Sequence, residues 1–260
     1  MPLTAPDLQQ LKAAKHLLEN PGIAAKLAAV VGSPLEKGLK MLPKRMQGSV
    51  HKATQSALMK ALNLAVTSLG KNPREQPSRD KIHKLAAAAS GAAGGAFGIA
   101  ALAWELPIST TLMLRSIADI AAAEGHDPRH LDTKLDCLTV FGLGAEGDHD
   151  DPAESGYFAA RTALAGAVTE AAKHLAKKGV TSGSAPALVR LVTLIGSRFG
   201  VVVSEKAAAQ AIPILGAAGG ALINTIFIGH YQDMARGHFI VRRLEKIHGA
   251  EPVRIAYEKL

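Results

Sequence analysis

The sequence predicts an all-α protein, a multi-helix bundle with two central Gly/Ala-rich helical hairpins. Alanine and leucine dominate the 260 residues and aromatics are only 4%, a composition that favours helix. β-branched alternation is scarce. The hexapeptide Gly-Ala-Ala-Gly-Gly-Ala occurs twice, at 91–96 and 216–221, each time inside a charge-free run, Leu85–Trp104 and Ala207–Gly229. Gly91 and Gly95 are four apart, as are Gly94 and Gly98, and Gly216, Gly219 and Gly220 repeat the pattern. Small residues at this spacing strip one helical face, so that a neighbouring backbone can approach closely.

The elements follow in order. Leu8, Leu11, Ala14, Leu17 and Leu18 predict a helix over 7–19 with Asp7 as N-cap, ended by Pro21-Gly22. A short helix is expected over 23–31. Residues 44–69 read as a long amphipathic helix whose stripe is Met46, Val50, Ala57, Leu58, Ala61, Leu62, Leu64 and Ala65. A basic helix of this kind can lie on a membrane, but more often its stripe packs on the core. Asp80 caps the helix that carries the first glycine copy. Pro107 predicts a kink or turn. A helix over 108–124 then gathers Met113, Leu114, Ile117 and Ile120, with Gly125 as its C′ residue. Gly147-Asp148-His149-Asp150-Asp151-Pro152 is an acidic surface loop. Helices are expected over 154–178, 186–197, 204–229 and 230–247, with a β-like spot at Gly200–Val203 and Pro213 near the start of the second glycine copy.

Composition and charge bound the function. The net charge of +8 divides as +9 over 1–84, −7 over 85–151 and +6 over 152–260. Basic ends suit an anionic membrane surface, where each Lys or Arg near the lipid is worth about 1 kcal/mol. They equally suit a solvated basic surface. Domain boundaries are expected at 1–79, a set of basic N-terminal helices, and 80–260, the main helical domain, with one continuous domain over both as the alternative. A single cysteine, Cys137, excludes an internal disulfide and fits a reducing compartment. No basic stretch followed by an apolar one opens the chain, so the expected place is the cytoplasm or the inner face of its membrane. Each charge-free run is long enough to span a bilayer. The first is mostly Ala and Gly, however, so a soluble or peripheral protein is the stronger expectation.

The residues around Pro107 and Pro213 resemble the EcsC family, named for the third product of a bacterial operon encoding an ABC transporter. The resemblance rests on Gly94-Gly95, Glu105-Leu106-Pro107, Leu114-Arg115 and Gly125-His126-Asp127. It continues in Ile212-Pro213, Gly216-Ala217, Asn224 and the basic helix through Arg242-Arg243. It covers roughly residues 80–247. One departure stands out, since Glu124 and His126 replace the aromatics of the family's turn. The resemblance implies an all-helical bacterial protein tied loosely to membranes, transport or secretion, and it implies no settled activity.

Three functions compete. The first is a peripheral accessory protein whose partner is an anionic membrane surface or a membrane protein. The second is a hydrolase using Glu105, Arg115 and Asp119, with His230 or Asp233, because an acid-Arg-acid cluster beside an apolar helix can perturb pKa values. A structural ion pair is the commoner use of such residues. The third is a lipid or small-molecule carrier with a tunnel between the glycine-striped helices. No cofactor and no metal is implied. His126 and His130 flank Pro128, and His230, Asp233 and His238 spread over about two turns. Gly142, Gly144 and Gly147 match Gly-x-Gly-x-x-Gly after a strand-like Leu138–Phe141, but the four residues that follow are Asp148, His149, Asp150 and Asp151. Their charge repels a pyrophosphate. Nucleic acid is not an expected partner, since stacking aromatics are few.

Overall fold

The computed structural model describes residues 2–19, 23–31, 44–69, 80–97, 102–143, 156–178, 185–210 and 216–260. Among them are ten α-helices and no strand. They are α1 (Ala5–Glu19), α2 (Ile23–Val31), α3 (Lys44–Ser68), α4 (Asp80–Phe97) and α5 (Leu102–Ala123). These are followed by α6 (Leu131–Thr139), α7 (Gly156–Lys178), α8 (Pro186–Gln210), α9 (Gly216–His248) and α10 (Ala250–Lys259). The all-α prediction therefore holds.

Helix α1 begins two residues before its expected start. Thr4 caps it, and its hydroxyl accepts from the Asp7 amide at 3.4 Å. The Asp7 carboxylate in turn accepts from the Thr4 amide at 2.9 Å. Asp7 is thus the far side of a capping box and not the N-cap.

Pro107 lies inside α5 and does not interrupt it. As the sixth helical residue it lacks the amide that would bond the Ala103 carbonyl and its ring crowds that carbonyl, a local cost that burial of the flanking Leu106 and Thr110 outweighs. The hydroxyls of Ser109 and Thr111 donate to the carbonyls of Leu106 and Pro107 beside it. Gly125 ends α5 with φ of +81°. Its amide donates to the Ala122 carbonyl and the next amide, of His126, to that of Ala121, which is a Schellman closure.

Three other expectations are corrected. Gly200–Val203 is helical within an uninterrupted α8, because burial of Val202 and Val203 outweighs local β propensity. Leu138–Phe141 is the end of α6 and a 3₁₀ turn over Val140–Gly142, not a strand. Gly229-His230 does not break α9, since an isolated glycine costs only about 1 kcal/mol in a helix. Gly98, Gly144, Gly147, Pro213 and the acidic loop at 147–152 lie outside the described residues.

Helix α9 is the axis. It packs against α1, α2, α4, α5, α8 and α10, and most extensively against α4. That pair is antiparallel. Asn224 donates to the Ala87 carbonyl at 3.0 Å, and the Lys84 side chain lies over Gly229. The register carries the backbone of Gly91, Gly94 and Gly95 alongside the segment Gly216–Gly220. Gly219 and Gly220 are buried.

The stripe of α3 turns inward. Val50, Ala57, Leu58, Ala61, Leu62 and Ala65 are all buried, and the helix packs on α5 and α8. Among the described residues most aromatics gather in two clusters. Phe141, Phe199, Phe227 and Tyr231 meet edge to face at the centre, and Tyr157, Phe158 and Tyr257 meet where α7 and α10 join.

Helix α1 approaches α9 closely at Gly237. A Cβ added at Gly237 would lie 2.6 Å from Leu18 Cγ and 3.0 Å from the Ala14 carbonyl oxygen. Gly237→Val is expected to cost about 1–3 kcal/mol by overpacking, read as a lower urea midpoint with unchanged slope. An unchanged midpoint would show that α1 does not seat there.

Candidate functional site

The structure does not bring Glu105, Arg115 and Asp119 together. Arg115 is exposed. Asp119 pairs with His83 of α4, Oδ2 to Nε2 at 2.9 Å. Glu105 is fully buried at the far end of α5. Arg115 is ten residues further along that helix, about 15 Å away at the helical rise. The acid-Arg-acid cluster is therefore not a site, because three residues on one helix were spread over several turns and each met a different neighbour. His230 is buried beside the Tyr231 ring, and Asp233 pairs with Lys26 at 3.2 Å, so neither joins Glu105.

Glu105 instead meets two residues from distant parts of the chain. Lys206 of α8 donates to Oε1 at 2.8 Å, and Asn224 of α9 donates to the same oxygen at 2.7 Å. The Lys206 ammonium also lies 4.6 Å from the centre of the Phe227 ring. Burial depresses the Lys206 pKa, and the Glu105 charge opposes that shift. Taking an ion pair out of water costs several kcal/mol per ion, recovered only when the partners are in place. The node thus ties α4, α5, α8 and α9 together through one carboxylate and one amide. The acid of the acid-Leu-Pro step and the asparagine after Pro213 are bonded to each other. Leu106 beside them is fully buried.

A second polar group occupies the other half of α9. Arg161 of α7 holds Glu245 with both nitrogens, at 2.7 and 3.0 Å. Arg242 reaches Glu245 at 3.2 Å and Asp136 of α6 at 3.0 Å. The Tyr157 hydroxyl lies 2.9 Å from His238 Nδ1. Burial, reinforced by Arg161 and Arg242, drives His238 well below its usual range and keeps it neutral. Burial pushes the Asp136 carboxyl up, against the pull of Arg242. Asp136, Arg161, His238, Arg242 and Glu245 line a cavity of about 370 Å³ between α6, α7, α9 and α10, and Tyr157 stands behind His238. Sequence reasoning missed it. The Arg242 signal was visible as a basic helix, but Tyr157, Arg161 and Asp136 carried no pattern of their own.

The turn after α5 docks on the same helix. His126 is buried, donates from Nε2 to the Phe239 carbonyl at 3.0 Å and accepts from Lys246 at Nδ1, 3.1 Å. Burial lowers its pKa to about 4. Glu124 pairs with Arg243 at 3.0 Å. Asp127 is held at about 2 by hydrogen bonds from Arg129. His130 precedes α6 and is exposed, so His126 and His130 do not share a face. Among the described residues no group of three His, Cys, Asp or Glu converges as a metal site.

The model of the EcsC protein family matches residues 6–244. The chain belongs to the EcsC protein family. The match starts within α1, so the basic N-terminal helices fall inside the family region. Glu124 and His126 are met by Arg243 and Lys246 of α9. No curated protein and no solved structure matches the chain.

Two outcomes follow from the buried groups. Glu105→Leu alone is expected to cost about 3–5 kcal/mol by stranding Lys206, while Glu105→Leu with Lys206→Met recovers much of the loss. Chemical denaturation of the single and double variants measures it, and equal losses in both would contradict the pairing. His126 binds its proton in the unfolded chain near pH 6.5 but in the folded one near 4. Stability is therefore full above about pH 6.5 and declines as pH falls toward 4. His126→Gln is expected to flatten that decline, the remainder coming from His238. Identical pH profiles would contradict the assignment.

Proposed function

We propose that this protein is a peripheral accessory protein at an anionic membrane surface, serving bacterial transport or secretion and acting by docking. The observation that carries the reading is the outer face of α4. Ile82 and Leu85 stand 52% and 73% exposed there, one turn apart, next to exposed Lys81 and partly exposed Lys84. Aliphatic side chains flanked by lysines suit the boundary between lipid headgroups and acyl chains. The excess of +9 over residues 1–84 extends the same preference. Position at the inner face of the cytoplasmic membrane belongs to this proposal.

Among the described residues one helix, Pro186–Gln210, is long and apolar enough to cross a bilayer, and 50% of its most apolar window is buried in the protein. That helix is α8, packed between α3 and α7. The proposal accordingly places α4 at the lipid surface and leaves α8 in the bundle.

Flotation on phosphatidylcholine vesicles containing phosphatidylserine tests the reading. The wild type is expected to float at physiological salt, and Leu85→Asp to weaken vesicle binding roughly thirtyfold, the factor that corresponds to losing about 2 kcal/mol of aliphatic burial. Wild-type protein that remains at the bottom of the gradient contradicts it.

A further inference from the structure

The cavity between α6, α7, α9 and α10 has one unusual wall. His238 is buried to 1% exposure, yet its Nε2 makes no hydrogen bond. Arg161 donates to the Tyr157 hydroxyl oxygen at 3.3 Å. That oxygen therefore turns its own proton to His238 Nδ1, 2.9 Å away. A neutral imidazole accepting at Nδ1 carries its hydrogen on Nε2. The Nε2–H donor is 3.9 Å from Asp136 Oδ1, beyond hydrogen-bond reach. Both residues line the cavity.

The gap has the dimensions of one bridging hydroxyl. An oxygen at ~2.9 Å from the nitrogen and ~2.7 Å from the carboxylate closes the triangle at about 90°, an angle that accepting one bond and donating another permits. Charge restricts the rest of the ligand. The walls carry Arg161, Arg242 and Arg254 against Asp136, Glu245 and Glu251. Arg161 is clasped by Glu245, and Arg242 lies between Asp136 and Glu245. Arg254 pairs with Glu258 at 3.1 Å, so each of the three arginines has a carboxylate for an anion to displace, and Arg161 and Arg242 already occupy the Glu245 and Asp136 carboxylates a metal would need. Phe158 and Val168 supply an apolar wall. The volume of about 370 Å³ is near the small end of ligand cavities, roughly 300–1,000 Å³.

We propose that this cavity binds a small neutral sugar or polyol, one hydroxyl of which bridges His238 Nε2 and Asp136 Oδ1. The site is independent of the α4 face, so membrane docking and ligand binding stand or fall separately.

Histidine-labelled full-length protein, titrated with methyl α-glucoside and separately with glycerol, tests it by the nitrogen-15 NMR signal of His238 Nε2–H. A saturable shift with either probe is the expected result, and which one saturates separates a sugar from a simple polyol. Asp136→Ala is expected to weaken the response roughly tenfold through loss of one charge-assisted bond. Ala165→Trp fills the exposed mouth of the cavity without touching the polar wall, and it is expected to abolish the shift in a protein that keeps its melting temperature. The proposal is overturned by no saturable shift with either probe, by a shift that survives Ala165→Trp, or by saturation with inorganic phosphate instead.

Discussion

A 33-residue helix runs through the core of this protein, and the buried polar side chains Asn224, Gln232, His238 and Glu245 on it each reach a partner on another helix. Asn224 reaches α4 and Glu105 of α5, Gln232 reaches Ser116 of α5, and Glu245 reaches Arg161 of α7. An amide or carboxylate left dry without a partner costs several kcal/mol. Hydrophobic burial alone tolerates sliding, because one leucine contact is much like another. These bonds do not, so they set how far along and at what rotation each neighbour sits on α9.

Small residues make that arrangement possible. Asn224 can bond a backbone carbonyl of α4 only if the two helices approach closely, which the Gly/Ala composition of both permits. At the other flank Gly237 admits α1 to the same axis. The aromatic side chains that fill the space between more widely spaced helices are concentrated where α6, α8 and α9 meet and where α7 and α10 meet.

Much of the fold was legible in the sequence. The 3.6-residue period of α3 named the residues it buries, and Gly125 named its own left-handed turn, because both signals are local. The boundaries around Pro107 and Gly200 were misread, since burial on either side of Pro107 carries the helix past a missing backbone bond and buried valines accept helix. The site residues were least legible. Lys206 stands just before a charge-free run and looks like an ordinary solvated lysine, and only Glu105, 101 residues away, makes it a core residue. Arg115 looked functional beside Asp119, yet α4 supplied His83 to Asp119 and left the arginine facing solvent. Tyr157, Arg161, Asp136 and His238 come from three helices, and no spacing along the chain connects them.

The inward-turned polar nodes fix how the helices of this EcsC-family bundle sit on one another. All of this requires α9 and its partners to behave as one body. Native-state hydrogen exchange resolved along α4, α5, α7 and α9 measures that directly. The slowest amides of the four helices are expected to share one opening free energy, equal to that of global unfolding. Opening of α4 at a distinctly lower free energy, with residues 230–244 of α9 still protected, would contradict the account.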